Sequence, residues 1–273
     1  MITGATTLTA VLGWPVLHSR SPQLLNAAYA ALGIDAVMVP AGVEPENLAQ
    51  VIAALRAVGA IGASVTVPHK VAVAALCDEL SPAAKAIGAV NCLQMSPDRL
   101  IGHNTDEGGF LDGLTATGFD VRGKRAVILG AGGSARAVAY ALRGGRAIEV
   151  IARSPQQVSW ARAWPWTQEQ LHECFARADL IVDCTPLGLG SPDEQAFVDS
   201  LPLAALPSGA RVASLVYHRR PILLERAEAA GYSTLDGRAM LLHQGARAFT
   251  IWTELPAPLD AMSRALDDAL RGT

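Results

Sequence analysis

Along the chain, short apolar runs rich in β-branched residues alternate with Ala/Leu-rich stretches whose apolar positions recur at helical spacing. That alternation is the pattern of βαβ units on a mainly parallel sheet, so it predicts an α/β protein. In the first part of the chain it predicts strands at Leu8 to Gly13, Ala36 to Pro40, Gly62 to Val67, Ala89 to Gln94 and Arg99 to His103. Helices are predicted between them, over Ser21 to Leu32, Pro45 to Val58 and Lys70 to Leu80. A further helix from Asp106 to Thr117, ended by Gly118, carries the chain out of this unit.

A second unit begins at Lys124. Arg125 to Gly130 reads as a buried strand that runs straight into Gly130-Ala131-Gly132-Gly133-Ser134 and a helix from Ala135 to Leu142. Ala147 to Ala152, Leu180 to Cys184 and Ala210 to Val216 continue the strands, and the tail, Met240 to Trp252 and Leu259 to Leu270, is helical. At 273 residues the chain exceeds the length at which one hydrophobic core stops growing. The expected architecture is therefore two α/β domains: an N-terminal unit over residues 1–104, on which the helices of 240–273 pack back, and a Rossmann unit over 105–239.

Composition narrows the partners. With 51% hydrophobic and 17% charged residues the chain can bury a substantial core, which excludes disorder. The balance of 22 Lys+Arg against 25 Asp+Glu carries no basic stripe, which argues against nucleic acid and anionic membrane as partners. Cys77, Cys92, Cys174 and Cys184 show no C-x-x-C spacing and are too sparse for a disulfide scaffold, so a reducing compartment is expected. Residues 1–10 lack the Lys or Arg of a signal peptide, and no apolar run approaches the ~20 residues that span a bilayer. The expectation is a cytoplasmic protein, a monomer or homodimer, acting on a small molecule.

Gly130 and Gly132, with Ala135 three further on, match G-x-G-x-x-(G/A) directly after a strand and at the opening of a helix. Glycines permit the tight turn and a close backbone approach, while the free N–H groups of the helix start receive a pyrophosphate. The choice of dinucleotide rests on the end of the next strand, where an acid accepts ribose hydroxyls and an arginine pairs with a 2'-phosphate. Glu149 stands 19 residues after Gly130 (149 minus 130), but it opens the strand and reads as a solvated charge. Arg153 closes that strand and Ser154 follows with a second donor, so NADP is expected.

Outside that unit lie polar clusters that simple packing does not require: Gly13 to Pro22 with His18-Ser19-Arg20-Ser21, Ser64-Val65-Thr66-Val67-Pro68-His69-Lys70, Ala86 to Asn91, and Asn104-Thr105-Asp106. Their order resembles the shikimate dehydrogenase family, with its motifs G-x-P-x-x-H-S-x-S-P, N-V-T-x-P-x-K, A-x-G-A-V-N and N-T-D. The resemblance extends over nearly the whole chain. Gly130 to Ala135 matches the family's nucleotide loop, Thr185-Pro186-Leu187-Gly188 its T-P-x-G turn, and Asp236 to Leu241 with Gln244 its C-terminal motif.

The resemblance implies reversible reduction of 3-dehydroshikimate to shikimate by NADPH, the first unit binding the cyclic polyhydroxy acid and the second the cofactor. It implies Lys70 and Asp106 as the catalytic pair, since an ammonium can stabilise charge developing on a ketone oxygen and deliver a proton. Ser19 and Ser21, helped by Tyr217, are implied at the substrate carboxylate, and Ser64, Thr66, Asn91 and Gln244 at the rest of the substrate wall. Thr185, Pro186, Leu187, Leu215, Gly237 and Met240 are implied along the cofactor. Each also has an ordinary reading: Ser21 followed by Pro22 makes a helix N-cap, Asp106 caps its own helix, and Leu215 and Met240 are core. No His spacing suits a metal, and His18, His69, His103 and His243 are read as structural.

The match breaks at definite positions. Ser64 replaces the Asn before V-T, removing a carboxamide from the substrate wall. Ser214 replaces the acid of D-x-x-Y, His218-Arg219 the customary Asn-Pro, Asp183-Cys184-Thr185-Pro186 the pattern N-(A/T)-T-P, and Ala152-Arg153-Ser154 the pattern N-R-T. Quinate or aminoshikimate dehydrogenation is the alternative among enzymes. A non-catalytic NADP-binding regulator is the alternative of another class, against which the intact Lys70 and Asp106 argue.

Overall fold

The computed structural model describes residues 2–271. The chain runs through β1 (Thr7–Gly13), α1 (Ser21–Ala31), β2 (Ala36–Gly42), α2 (Leu48–Ala57), β3 (Gly62–Val65), β4 (Glu79–Leu80), α3 (Pro82–Ile87), β5 (Cys92–Met95) and β6 (Leu100–His103) to α4 (Asp106–Ala116). Then follow β7 (Arg125–Leu129), α5 (Gly133–Ala141), β8 (Ala147–Ala152), β9 (Arg162–Pro165), α6 (Gln168–Phe175), β10 (Leu180–Asp183), α7 (Glu194–Asp199), β11 (Arg211–Ser214), α8 (Ile222–Ala229) and β12 (Ser233–Leu235). Two helices end the chain, α9 (Arg238–Thr253) and α10 (Leu259–Arg271). Two compact units result, one of Met1–Gly109 with Leu241–Thr273 and the other Phe110–Met240. The division falls inside α4, five residues later than the pattern placed it (109 against 104), because Gly109 packs against the backbone of Gln244 and so keeps the first turn of α4 with the first unit.

The first unit is a six-stranded sheet in the order β2-β1-β3-β5-β6-β4. β1 lies between β2 and β3, parallel to both, and encloses a core with Leu12, Val65, Leu93, Leu48 and Ile52. The sheet is mixed rather than mainly parallel: β5 is antiparallel to β3 and to β6. A tight reversal at Ser96 to Arg99 is long enough only for an antiparallel neighbour, since a parallel return needs a crossover. This topology positions the site. Ser64 pairs with Cys92, and Cys92 with His103, so the end of β3, the start of β5 and the end of β6 meet at one edge of the sheet. The segment after β1, with Ser19 and Ser21, leaves from the same edge, since β1 runs parallel to β3.

The expected helix over Lys70 to Leu80 is absent. Its place is taken by a short 3-10 turn at Ala72–Leu76 and then by β4, which pairs with β6. The Ala-rich spacing is helical, but Asp78 accepts the N–H of Leu100 through its side chain, and that tertiary bond draws the following residues into the sheet. α9 seats Trp252 beneath β3, where its indole N–H donates to Leu93 O, and a Cβ on Gly62 would overlap that ring. Among the described residues no helix is long and apolar enough to cross a membrane.

The second unit is a fully parallel sheet in the order β12-β11-β10-β7-β8-β9. β7 has β8 on one side and β10 on the other, so strand order reverses at its carboxyl end, the place where open α/β sheets take ligands. One face carries Leu129, Ile181, Val212 and the helices α6, α7 and α8; the other carries Ile128, Val182, Ala213 and Phe110. The alternation left β9, α6, α7, α8 and β12 unmarked, since each is a short element whose apolar positions are too few to set a period.

Glu149 is not a solvated charge. It is buried within β8, where its carboxylate accepts from Trp164 Nε1 at 3.0 Å and from Arg177 at 2.9 and 3.1 Å. Burial works to raise its pKa, but the bonds from Arg177 and Trp164 outweigh it and hold the carboxyl below its usual range. The stability it contributes is therefore present above about pH 4.5 and lost as the pH falls below that value. Glu149→Ala is expected to lower the unfolding free energy by about 2 kcal/mol, less than for a fully enclosed pair because Arg177 is 39% exposed. Urea denaturation at neutral pH checks it: an unchanged midpoint contradicts this account.

Candidate active site

Lys70 follows β3 and Asp106 opens α4, yet Lys70 Nζ donates to Asp106 Oδ2 at 2.7 Å, with side chains only 13% and 5% exposed. Asn91, just before β5, holds the other oxygen: its Nδ2 donates to Asp106 Oδ1 at 2.8 Å and to Thr105 Oγ1 at 3.0 Å. Asn91 Oδ1 in turn accepts the N–H of Thr105 at 2.7 Å. Gln244 of α9 joins the network through Oε1, 3.4 Å from Asn91 Nδ2, and anchors its own amide on Leu241 O at 2.9 Å. Both Asp106 oxygens are thus engaged by side chains. Asp106 does not cap α4; Asn104 does so weakly, accepting from Glu107 N while donating to Ala89 O.

Four further residues expected at this site stand around it. Ser64 is buried on β3, and Thr66 follows it with its methyl group facing Gly13. Neither hydroxyl makes a hydrogen bond among the described residues. Ser19 Oγ accepts from Ser21 N at 3.3 Å. Arg20 is the N-cap residue of α1, so Ser21 is its first helical residue rather than its cap, and it is Ser19 that serves the exposed N–H. Thr105 was missed as a site residue, although its place within N-T-D was the available signal.

Of the four histidines read as structural, His69 and His103 make defined side-chain bonds. His69 is buried with Nε2 2.7 Å from Val43 O, and His103 pairs with Gln94 at 3.1 Å, burial lowering its pKa. Among the described residues no group of His, Cys, Asp or Glu could hold a metal ion, and all four cysteines are free thiols.

In the second unit the strand β7 is followed by Gly130, whose φ of +101° belongs to the left-handed region that glycine tolerates. Gly132 is the N-cap of α5 with no side-chain cap, and a Cβ there would meet only open space. The helix start of α5 at Gly133 thus has no side-chain cap, the kind of N-terminus that can receive a pyrophosphate. Ala131 flanks the turn, half-buried. Arg153 leaves the carboxyl end of β8 exposed and makes no bond among the described residues, as suits a phosphate-binding guanidinium; Ser154 follows, half-buried.

Thr185 gives both its N–H and its hydroxyl to Asp183 Oδ1, at 2.9 and 2.7 Å, and Leu187 N approaches Thr185 Oγ1 at 3.4 Å, so the Thr185-Pro186-Leu187 turn hangs on Asp183. Sequence reading had noted Asp183 only as a departure. Leu215 and Met240 pack half-buried on the core that holds Phe110, and Gly237 lies directly on the Leu215 carbonyl, which excludes any side chain there. Tyr217 belongs to this unit, beside His218.

Residues 11–93 match the shikimate dehydrogenase substrate binding domain, and residues 237–266 the shikimate 5'-dehydrogenase C-terminal domain. A shikimate dehydrogenase (NADP(+)) of Symbiobacterium thermophilum is 41% identical over 97% of this chain and 95% of its own. One of Citrifermentans bemidjiense is 40% identical over 97% and 96%. The crystal structure of shikimate 5-dehydrogenase from Thermus thermophilus in complex with NADP(H) and shikimate is 36% identical, covers 97% of this chain and all of that one, and superposes with a TM-score of 0.85.

Asn91→Ala is expected to destabilise the protein by about 2 to 3 kcal/mol, because it strands the N–H of Thr105 and one oxygen of Asp106 away from water. Thermal denaturation measures it, and a midpoint within error of wild type would show that water replaces the amide.

Proposed function

This chain belongs to the shikimate dehydrogenase family, and on that premise we propose that it interconverts 3-dehydroshikimate and shikimate with NADP, using Lys70 and Asp106 as its acid-base pair. The observation that supports the pairing is the 2.7 Å contact between their charged groups in a nearly dry setting. NADPH, when bound, supplies the hydride that reduces the ketone carbon. Lys70 stabilises the negative charge that builds on the ketone oxygen and gives it a proton; in the oxidative direction the same pair withdraws the hydroxyl proton. Asp106 orients the ammonium through Oδ2. Asn91, whose amide hydrogens are already engaged, acts by holding Asp106 through Oδ1.

Ser19 and Ser21 bind the substrate carboxylate, and Ser64, Thr66 and Gln244 the ring hydroxyls. The open hydroxyls of Ser64 and Thr66 support this assignment. Backbone N–H groups of the Gly130 to Ser134 turn take the pyrophosphate, Arg153 and Ser154 the 2'-phosphate, and the segments at Thr185 to Leu187, Leu215, Gly237 and Met240 the rest of the dinucleotide. The free thiols support a cytoplasmic setting.

Lys70→Ala is expected to lower kcat by about a hundredfold or more while leaving NADP affinity near wild type, since the ammonium acts on charge present only in the transition state. Steady-state kinetics with a binding titration separate the two, and near-wild-type turnover would sink the mechanism. The Lys70/Asp106 double variant is expected to lose less than the product of the singles, as partners in one unit do.

One observation favours a related polyhydroxy acid such as quinate as a second reading: the buried Ser64 offers a short hydroxyl where the family pattern has a longer amide. If shikimate is the substrate, Ser64→Asn is expected to lower its KM, by up to about tenfold for each 1.4 kcal/mol of hydrogen bonding recovered. Comparing kcat/KM for shikimate and quinate in both proteins decides it, because a loss on every substrate means the pocket is built around serine.

A further inference from the structure

Two departures from the family pattern that are 31 residues apart in sequence (214 minus 183) are neighbours in the sheet. Asp183, where the pattern has Asn, is the register partner of Ser214, where the pattern has an acid. Both side chains lie on the same face, in step with Ile181 and Val212, and both are buried, at 2% and 1% exposure. Asp183 stands beside Leu129, the residue before Gly130, and a Cβ on Gly130 would lie 3.4 Å from the backbone of Cys184 and 3.5 Å from the methyl of Thr185. The carboxylate therefore sits at the root of the cofactor turn.

We propose that Asp183 is the positioning residue of this turn, its carboxyl replacing the one the pattern carries on the neighbouring strand at Ser214. The proposal rests on the reading that the Gly130 turn receives the dinucleotide. One oxygen of Asp183 accepts both bonds from Thr185 and so sets the course of Thr185 to Leu187 beside that turn.

Among the described residues, its strand neighbours place no ionising group on its face: Leu129 and Gly130 follow on β7, Ser214 lies on β11, and Cys184 packs in the opposite core. On the helices covering its own face, Cys174 lies against Arg177 and Glu194 pairs with Arg219. Burial pushes the Asp183 carboxyl up to about 6, against the lowering pull of the Thr185 bonds. The folded protein thus takes up this proton before the unfolded chain does, and gains stability as the pH falls through about 6. Above that pH the buried charge opposes a neighbouring pyrophosphate.

The first test needs no cofactor. Ser214→Asp sets two carboxylates on adjacent strands of one buried face and is expected to lower Tm steeply, whereas Asp183→Asn/Ser214→Asp restores a single acid and is expected to recover most of the loss. Additive effects of the two substitutions overturn the proposal. The second is a calorimetric titration with NADP+. Wild-type Kd, relative to that of Asp183→Asn, is expected to tighten about tenfold between about pH 8 and about pH 5, the amide still accepting both Thr185 bonds but carrying no charge. Titration of the 2'-phosphate cancels in that ratio. Asp183→Ala, which loses the turn, is expected to bind weakly at every pH. Parallel pH profiles for wild type and Asp183→Asn, or equal binding by the Asn and Ala variants, overturn the proposal. If the wild type binds no NADP+ at all, the dinucleotide reading fails, and the stability cycle still decides the role of Asp183.

Discussion

An ammonium and a carboxylate taken out of water are tolerable only when they touch and when their remaining hydrogen-bonding positions are filled. Lys70 and Asp106 meet that condition through Asn91, which ties the second carboxylate oxygen and the N–H of Thr105 into one network. The rest of the first unit serves this arrangement. The three residues come from the exit of β3, the entry of β5 and the exit of β6, and only an antiparallel β5 between β3 and β6 brings those points to one edge of the sheet. α9 completes it from the far end of the chain, with Gln244 inside the network and Trp252 fastened to β5 at Leu93.

The second unit solves a different problem by different means. There the proposed ligand-facing groups are backbone N–H groups, which no side chain replaces, so the constraint falls on the path of the main chain. A left-handed Gly130 and an uncapped helix start are what the turn requires, and the parallel sheet presents it where strand order reverses. Asp183 is where the two solutions meet: a side-chain carboxylate, buried like Asp106, shaping a backbone turn. Among the described residues no cation pairs with it, and burial raises its carboxyl to about 6.

The sequence by itself determined what local chemistry can express. Alternating apolar runs gave the α/β class, because burial of one face leaves its period in the residue order. The glycine turn was legible at Gly130 to Ala135 because φ preference and strand-to-helix context are local, and the ordered polar motifs pointed to one family. What tertiary structure alone decided were pairings between distant residues. Nothing local distinguished a helix from a 3-10 turn and edge strand after Lys70, since the bond from Asp78 to Leu100 makes that choice. Glu149 looked solvated because its partners, Trp164 and Arg177, lie 15 and 28 residues away. Ser64, Asn91 and Asp106 were each visible as polar residues, but their convergence depends on strand register, which the residue order does not state. For the same reason Asp183 and Ser214 stood in the sequence as two unrelated departures. Adjacent parallel strands made them one feature, because cross-strand neighbours are set by the hydrogen-bonded ladder and not by distance along the chain.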